Sequence, residues 1–474
     1  MKGVLRIARE ELRLLWRGRV ALYGLALLVL LNAVAAFTSW EHWRHAAAER
    51  MRYQARANAE FDAQPDRHPH RMVHYGHFVF RPLDPLAAFD PGINAQTGHT
   101  LFLEGHRQNS PNFGEVRQSS LLLRFGELTP AFVLQVLAPL LLIFVGHASV
   151  ARERESNLLR VLLAQGVAPG RLVAGKAVAL LGFAGMLLSP TLLLLAGTAF
   201  AIPHRAGAAI GLGAAYGLWF LLWVAGVVGV STLCRRGRDA LLALLAIWSV
   251  CVVLVPRLAP ELAATTLSLP TRLETDIAVS RELKAIGDSH DPDDPYFAGF
   301  RKQVLARYGV TRIEDLPVNY KGLVALEGER LTSELFERHA AAGFDRQAAQ
   351  LLWVDRGAVL SPVLALRRLS MALAGTDLHH YRRFVEQAEQ HRFQLVQALN
   401  RLQAEKLSLA QDRSSRDDRI SRQHWHGLAE FHHEPPSLVE TLGRAASSAG
   451  VLLLWLALLG GLLALGTRRL ARSS

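Results

Sequence analysis

Three residue groupings in this chain have the types and spacing to do chemistry. The first is histidine: of 19 in the chain, His68, His70, His74 and His77 form one cluster and His424, His426, His432 and His433 another. Neutral imidazoles at such short spacing can share a divalent transition-metal ion. No carboxylate or cysteine pattern completes a defined ligand set, so the clusters read as histidines exposed in polar loops. His68, His70, His74 and His77 stand as the candidates for a low-affinity metal site. His433-Glu434 is followed by Pro435 and Pro436 and cannot open a helical zinc-protease motif. The second grouping, Gly170 to Lys176 (GRLVAGK), has the spacing of a phosphate-binding loop up to its last position. Such a loop needs a hydroxyl at the next residue and a strand before it. Here Ala177 and an apolar run follow. The chain carries no nucleophile elbow and no spacing that proposes a Ser, His and Asp triad. Its two cysteines, Cys234 and Cys251, lie in or at the edge of apolar segments and argue for neither disulfide nor thiolate metal site. Neither a catalytic residue nor a cofactor is expected in this chain.

The third grouping is a charged island between two long apolar runs. Arg152, Glu153, Arg154 and Glu155 precede Leu158, Leu159 and Leu162 in a short helical pattern. Carboxylates at a helix start favour the positive end of the macrodipole and can accept charge-assisted hydrogen bonds from a partner's Arg or Lys. The chemistry predicted here is docking.

These groups sit in a chain of 474 residues, half of them hydrophobic and one-fifth charged, which is too apolar for an ordinary soluble protein. The net charge of +12 fits an anionic lipid surface, and no groove-reading motif supports nucleic acid as a partner. Residues 1–19 predict a basic amphipathic interfacial helix, with Leu5, Ala8, Leu12 and Leu15 on one face and Arg6, Arg9, Arg13 and Arg17 on the other. A signal peptide fits less well, because the charged part is long and no small-residue cleavage site follows. Apolar runs at 20–40, 130–150, 177–201, 206–233, 240–256 and 449–466 predict six spans. The fifth is short against the roughly 20 residues that about 30 Å of hydrocarbon requires. With six, the basic clusters at residues 2–19, 152–176, 235–238 and 468–472 share one side, which the positive-inside rule makes cytoplasmic. Both termini then lie inside.

The polar regions 41–129 and 257–447 are extracytoplasmic in this topology. The second is mostly helical by pattern: from Tyr381, apolar residues at Phe384, Ala388, Leu395, Ala398 and Leu402 mark one long amphipathic helix. Asp412 to Arg422 reads as a solvated charge run. Gly207 and Gly211, with Gly213 and Gly217, give small-xxx-small patterns that suit a subunit interface or packing within one chain. The fold class expected is an all-α integral membrane protein, six transmembrane helices with a mostly helical extracytoplasmic domain.

At Arg152-Glu153-Arg154-Glu155, Leu158-Leu159, Leu162-Leu163, Pro169-Gly170-Arg171 and Gly175-Lys176, the chain resembles the permease subunits of type 2 ABC transporters, the exporter-like class with six spans. The stretch from Ser361 to Asn400 and the FDPG at Phe89 to Gly92 resemble the bacterial subgroup whose outer region is a domain of unknown function. The resemblance implies an inner-membrane permease, an exporter, coupled through the loop between the second and third spans to a cytoplasmic ABC ATPase. It also implies a second permease subunit, as homodimer or heterodimer, and ATP and Mg²⁺ held by the ATPase rather than this chain. The outer domain would form a vestibule or a docking face for an extracytoplasmic partner protein. The rival expectation is a non-transporting membrane protein whose outer domain binds a signal or partner.

Overall fold

The computed structural model describes residues 2–112, 128–287, 291, 293–414 and 418–472, so the centre of the charge run at 412–422 lies outside the described residues. Helix α1 (Lys2–Arg17) is followed after one glycine by α2 (Arg19–Asp62), whose apolar first half continues into a polar second half. Next come α3 (Pro69–Tyr75) and an antiparallel pair, β1 (His77–Phe80) and β2 (Thr100–Leu103), with His77 opposite Leu103. A π-helical stretch, Val133–Leu137, leads into α4 (Ala138–Gly146). Two short helices, α5 (Ala151–Glu155) and α6 (Leu158–Ala164), precede α7 (Pro169–Ala201) and α8 (Ala206–Leu233). A second π-helical stretch, Ser249–Leu254, joins α9 (Gly237–Trp248) to α10 (Val255–Thr266). The polar region holds α11 (Arg272–Ile286), α12 (Pro295–Tyr308), α13 (Tyr320–Arg356), α14 (Pro362–Leu373) and α15 (Leu378–Lys406), and the chain closes on α16 (Leu438–Arg472). The protein is an all-α membrane fold.

Six helical segments are long and apolar enough to cross a membrane among the described residues: Arg19–Asp62, Pro130–Glu155, Pro169–Ala201, Pro203–Leu233, Gly237–Thr266 and Leu438–Arg472. The fifth, short by composition alone, is one continuous 30-residue helical run. GRLVAGK is the opening of α7 with no strand before it, and the Arg171 and Leu172 N–H groups are already bonded to the Ala168 carbonyl, so it is a helix start and not a phosphate-binding loop. Asn32, the polar residue in the middle of the first apolar run, is fully buried, donating to the Leu187 carbonyl and accepting from Thr191 Oγ1. That satisfies an amide that lipid would leave unpaired.

The two π turns free backbone carbonyls that side chains then claim. Trp219 Nε1 donates to the Leu134 carbonyl at 3.1 Å and Trp248 Nε1 to that of Val136 at 3.2 Å. In the second turn the Cys251 carbonyl accepts from the Ser361 hydroxyl at the start of α14. Both irregular turns therefore stand where the bundle meets the polar domain.

That domain is one body drawn from both polar regions. Along α15, Phe384, Val385 and Ala388 pack on Val79, Leu101 and Leu103 of the strands. Further along, Leu395, Val396 and Leu399 pack on Phe61 at the end of α2, on Met72 and Val73 of α3, and on Trp425. The amphipathic periodicity from Tyr381 is realised in this helix, with Asp377 capping its first turn. Asp412, read as part of a solvated run, is instead a nearly buried hub that accepts from Asn319, Gln403 and His68. Gly207 and Gly211 face Leu438 and Leu373 of the same chain.

Candidate functional site

The basic clusters converge at one end of the bundle. α1 lies along the start of α7, where a Cβ at Gly175 would stand 2.6 Å from the Ile7 side chain, so only glycine permits this approach. Arg6, Arg9, Arg13 and Arg17 are exposed, as expected of an interfacial helix. The buried face differs from the one drawn from the sequence: Ala8 and Glu11 point inward, and Leu5 is exposed.

Glu11 is buried because it has a partner. Lys176 Nζ donates to Glu11 Oε2 at 2.6 Å and also to the Glu153 carboxylate, and all three side chains are buried. Arg152 lies 3.5 Å from Glu11 and adds the second positive charge. Two carboxylates and two cations bring the cluster to neutrality, which is what allows charges to be held out of water. One residue from α1, two from α5 and one from α7 are thereby locked together.

A second set of bonds ties α5 to the turn between α8 and α9. Arg154 donates to the carbonyls of Cys234 at 2.8 Å and Thr232 at 3.0 Å. Glu155 accepts from the Gly237 N–H at 3.2 Å, and Ser231 Oγ accepts from the N–H groups of Val150 and Ala151. The sequence expectation needs correcting here. Glu153 and Glu155 do not open a continuous helix with carboxylates free for a partner. α5 ends at Glu155, Asn157 turns the chain at φ +59°, and both carboxylates have partners within the chain. The reason is packing: α7 brings Lys176 onto the buried Glu153, and Glu155, exposed at the cleft, accepts from the Gly237 N–H with one oxygen. What α6 leaves exposed is Leu158, Arg160 and Val161, with Leu162 half-buried and Leu159 buried beneath them. Beside it opens a cleft of about 880 Å³ lined by Arg154, Arg160, Arg235, Arg236, Arg238 and Arg469. Its charge suits an acidic surface.

At the opposite end a buried polar chain joins bundle and domain. Gln135 Nε2 donates to the Tyr216 hydroxyl at 2.6 Å, and that hydroxyl lies 3.1 Å from Ser370 Oγ. Ser370 donates in turn to Asp90 Oδ2 at 2.5 Å. Arg367 completes the chain by donating to Gln135 Oε1. Burial pushes the Asp90 carboxyl above its usual range, against the hydrogen bonds from Ser370 and Gly92. Phe89 sets its ring edge-on to Tyr216 with centroids 4.9 Å apart. The FDPG stretch thus packs between the fourth span, through Phe89 on Tyr216, and α14, through Asp90 on Ser370.

The histidines separate. His70 and His74 come together with His106, which belongs to neither sequence cluster, and one ligand atom from each lies within 4.8 Å of the others. His68 turns to Asp412, and His77 is buried against Phe61. Glu11, Tyr216 and His106 escaped sequence reasoning, and Lys176 and Asp90 entered it only as parts of motifs, without their partners. For Glu11 a signal existed, an acidic residue one turn from Ala8 on the helix's inward side.

A polytopic helical bundle with a helical domain at one end and a charge-locked helix pair at the other defines the class as a multi-pass α-helical membrane protein. The chain belongs to the ABC-2 family transporter proteins, whose family model matches residues 5–303. Residues 272–434 match the model of a domain of unknown function, DUF3526. No curated protein matches the chain. The family makes this the permease subunit of an ABC transporter, a multi-pass membrane protein that works with an ATPase partner.

Proposed function

We propose that this permease is an exporter subunit of the bacterial cytoplasmic membrane, with both termini cytoplasmic and the polar domain outside. It would pair with a second permease subunit, identical or related, and with two copies of a separate ATPase that holds the ATP and Mg²⁺. The observation that carries the reading is the Glu11–Lys176–Glu153 cluster. A displacement applied to α5 and α6 cannot stay local, because α5 is bonded to α1, to the start of α7 and to the turn between α8 and α9. Closure of ATPase subunits beneath α6 would therefore be delivered to the third, fourth and fifth spans together. Interfaces that are packed and bistable turn small shifts into rigid-body motion. The Gln135–Tyr216–Ser370–Asp90 chain extends the same linkage to the outer domain.

The surface offered to the ATPase in this reading is Leu158, Arg160 and Val161 with the arginine cleft, and the buried Glu153 serves as an internal strut. Co-expression with a candidate ABC ATPase from the same genome, followed by co-purification and ATP hydrolysis in lipid, tests this. Leu158→Asp with Arg160→Glu should abolish ATPase recovery while the permease still inserts and folds. Unchanged recovery and unchanged coupled hydrolysis in that double variant would refute the docking assignment.

A further inference from the structure

We infer that His70, His74 and His106 form a binding site for a divalent transition-metal ion on the polar domain. The site is built by two segments. His68 accepts from the His70 N–H at 3.0 Å and Pro69 takes the first helical position, which starts α3 and places His70 and His74 one turn apart on the same face. The loop after β2 brings the third histidine. Its Gly105 N–H donates to the Val73 carbonyl at 3.2 Å, and a Cβ at Gly105 would stand 2.2 Å from Val73 Cγ1, so the loop can close on α3 only with glycine there. His106 then takes φ +65°, an uncommon conformation for a residue with a side chain.

The His70–His74 separation is that of a coordination sphere, and a His106 ligand atom lies within 4.8 Å of both. His70 Nε2 and His74 Nε2 lie 3.2 Å apart. Two nitrogens bound tetrahedrally at about 2.0–2.1 Å from one ion would be separated by about 3.3–3.4 Å. The three rings surround a common point, with centroids 4.7 Å apart for His70 and His74, 5.6 Å for His70 and His106, and 5.4 Å for His74 and His106. Without an ion the His70–His74 contact is an N–H···N hydrogen bond, one ring in each tautomer. A bound ion takes a lone pair from both, with both protons on Nδ1.

Behind His106 stands a carboxylate of the kind that orients metal-bound imidazoles. Glu329 Oε2 accepts from the His106 backbone N–H at 3.0 Å and lies 3.5 Å from its Nδ1. Nδ1 is the ring nitrogen that faces Glu329, so a proton placed there leaves Nε2 as the donor nitrogen toward an ion. Glu329 is itself fixed, fully buried and paired with Arg392, which also donates to Ser333 and to the Glu104 carbonyl next to the histidine loop. An all-imidazole set selects zinc, copper, nickel or cobalt over magnesium or calcium. Three protein ligands leave a fourth position for water or for a donor from a bound molecule.

The inference is independent of transport, and so is its test. The full-length chain, purified in detergent without a polyhistidine tag and stripped with chelator, is titrated with Zn²⁺ by calorimetry and with Co²⁺ by visible absorption. One Zn²⁺ per chain in the micromolar range or tighter, with Co²⁺ bands of low-coordinate geometry, is expected. His74→Gln and His106→Gln should each weaken binding by about 100-fold or more, beyond the usual loss for an orienting partner. His426→Gln, in the other histidine cluster, should leave it unchanged. Because His74 is exposed, its replacement does not disturb the core, and equal melting temperatures in chelator will establish that. Failure of the wild-type chain to take Zn²⁺ in this range, or equal affinity in the His74 and His106 variants, would overturn the site.

Discussion

Lys176 Nζ donates to Glu11 Oε2 at 2.6 Å across 165 residues of sequence, and the same ammonium bonds Glu153. The contact makes the N-terminal helix, the charged loop and the third span one mechanical unit. It also sets how each member responds to substitution.

Lys176→Met should be among the most damaging single changes at this end of the bundle, because it strands two carboxylates beside Arg152 alone. Removing one partner of a buried ion pair costs about 3–5 kcal/mol. A lower melting temperature in detergent and reduced membrane yield are the expected readouts. Adding Glu11→Gln and Glu153→Gln to Lys176→Met should restore much of the loss, since no buried charge is then left unpaired. A triple variant no better than the single one would show that the cluster's worth lies elsewhere.

Charge reversal at Glu153 should act on folding before it acts on docking. Glu153→Lys places two ammonium groups in one buried site, so the permease itself should fail to accumulate. Arg160→Glu, on the exposed face of α6, should leave accumulation intact and weaken ATPase recovery. Raising salt should weaken recovery of the wild-type complex in the same direction, as expected for a basic cleft meeting an acidic surface.

Tyr216→Phe removes the hydroxyl that links Gln135 to Ser370 and leaves a buried amide donor without its acceptor. The expected cost is about 1–3 kcal/mol. Thermal unfolding in detergent should show it, and hydrogen exchange should rise at the start of α14 as well as in the fourth span.

The polar domain should lose stability as pH falls from about 6.5 toward 4. Burial holds the His77 imidazole at about 4, with His391 acting in the same direction, and burial does the same to His433, also about 4. Both are neutral when folded, whereas the unfolded imidazoles take a proton near pH 6.5, so the unfolded state binds more protons across this window. Asp412 works at lower pH. Burial raises its carboxyl, but hydrogen bonds from His68, Gln403 and Asn319 and the Lys321 charge outweigh that and hold it well below the usual carboxylate range. Its contribution is present above about pH 3.9 and fades as pH falls through the folded value. Melting curves between pH 7.5 and 4.5 measure the window, and His77→Phe should flatten it.

What the sequence determined by itself was local. Apolar runs of the right length declared six spans, arginines at their ends declared a common face, and the Phe384–Ala388–Leu395 periodicity declared α15, because each signal is carried by residues close together in the chain. The charged stretch from Arg152 to Leu162 was legible as a special element for the same reason. Only the tertiary structure decided that Glu153 is spent on Lys176, that Asp90 accepts from Ser370 of α14, and that His106 joins His70 and His74 while His68 and His77 turn elsewhere. Those partners lie tens to hundreds of residues apart, and which of them meet depends on how helices pack, a property that no window of sequence contains.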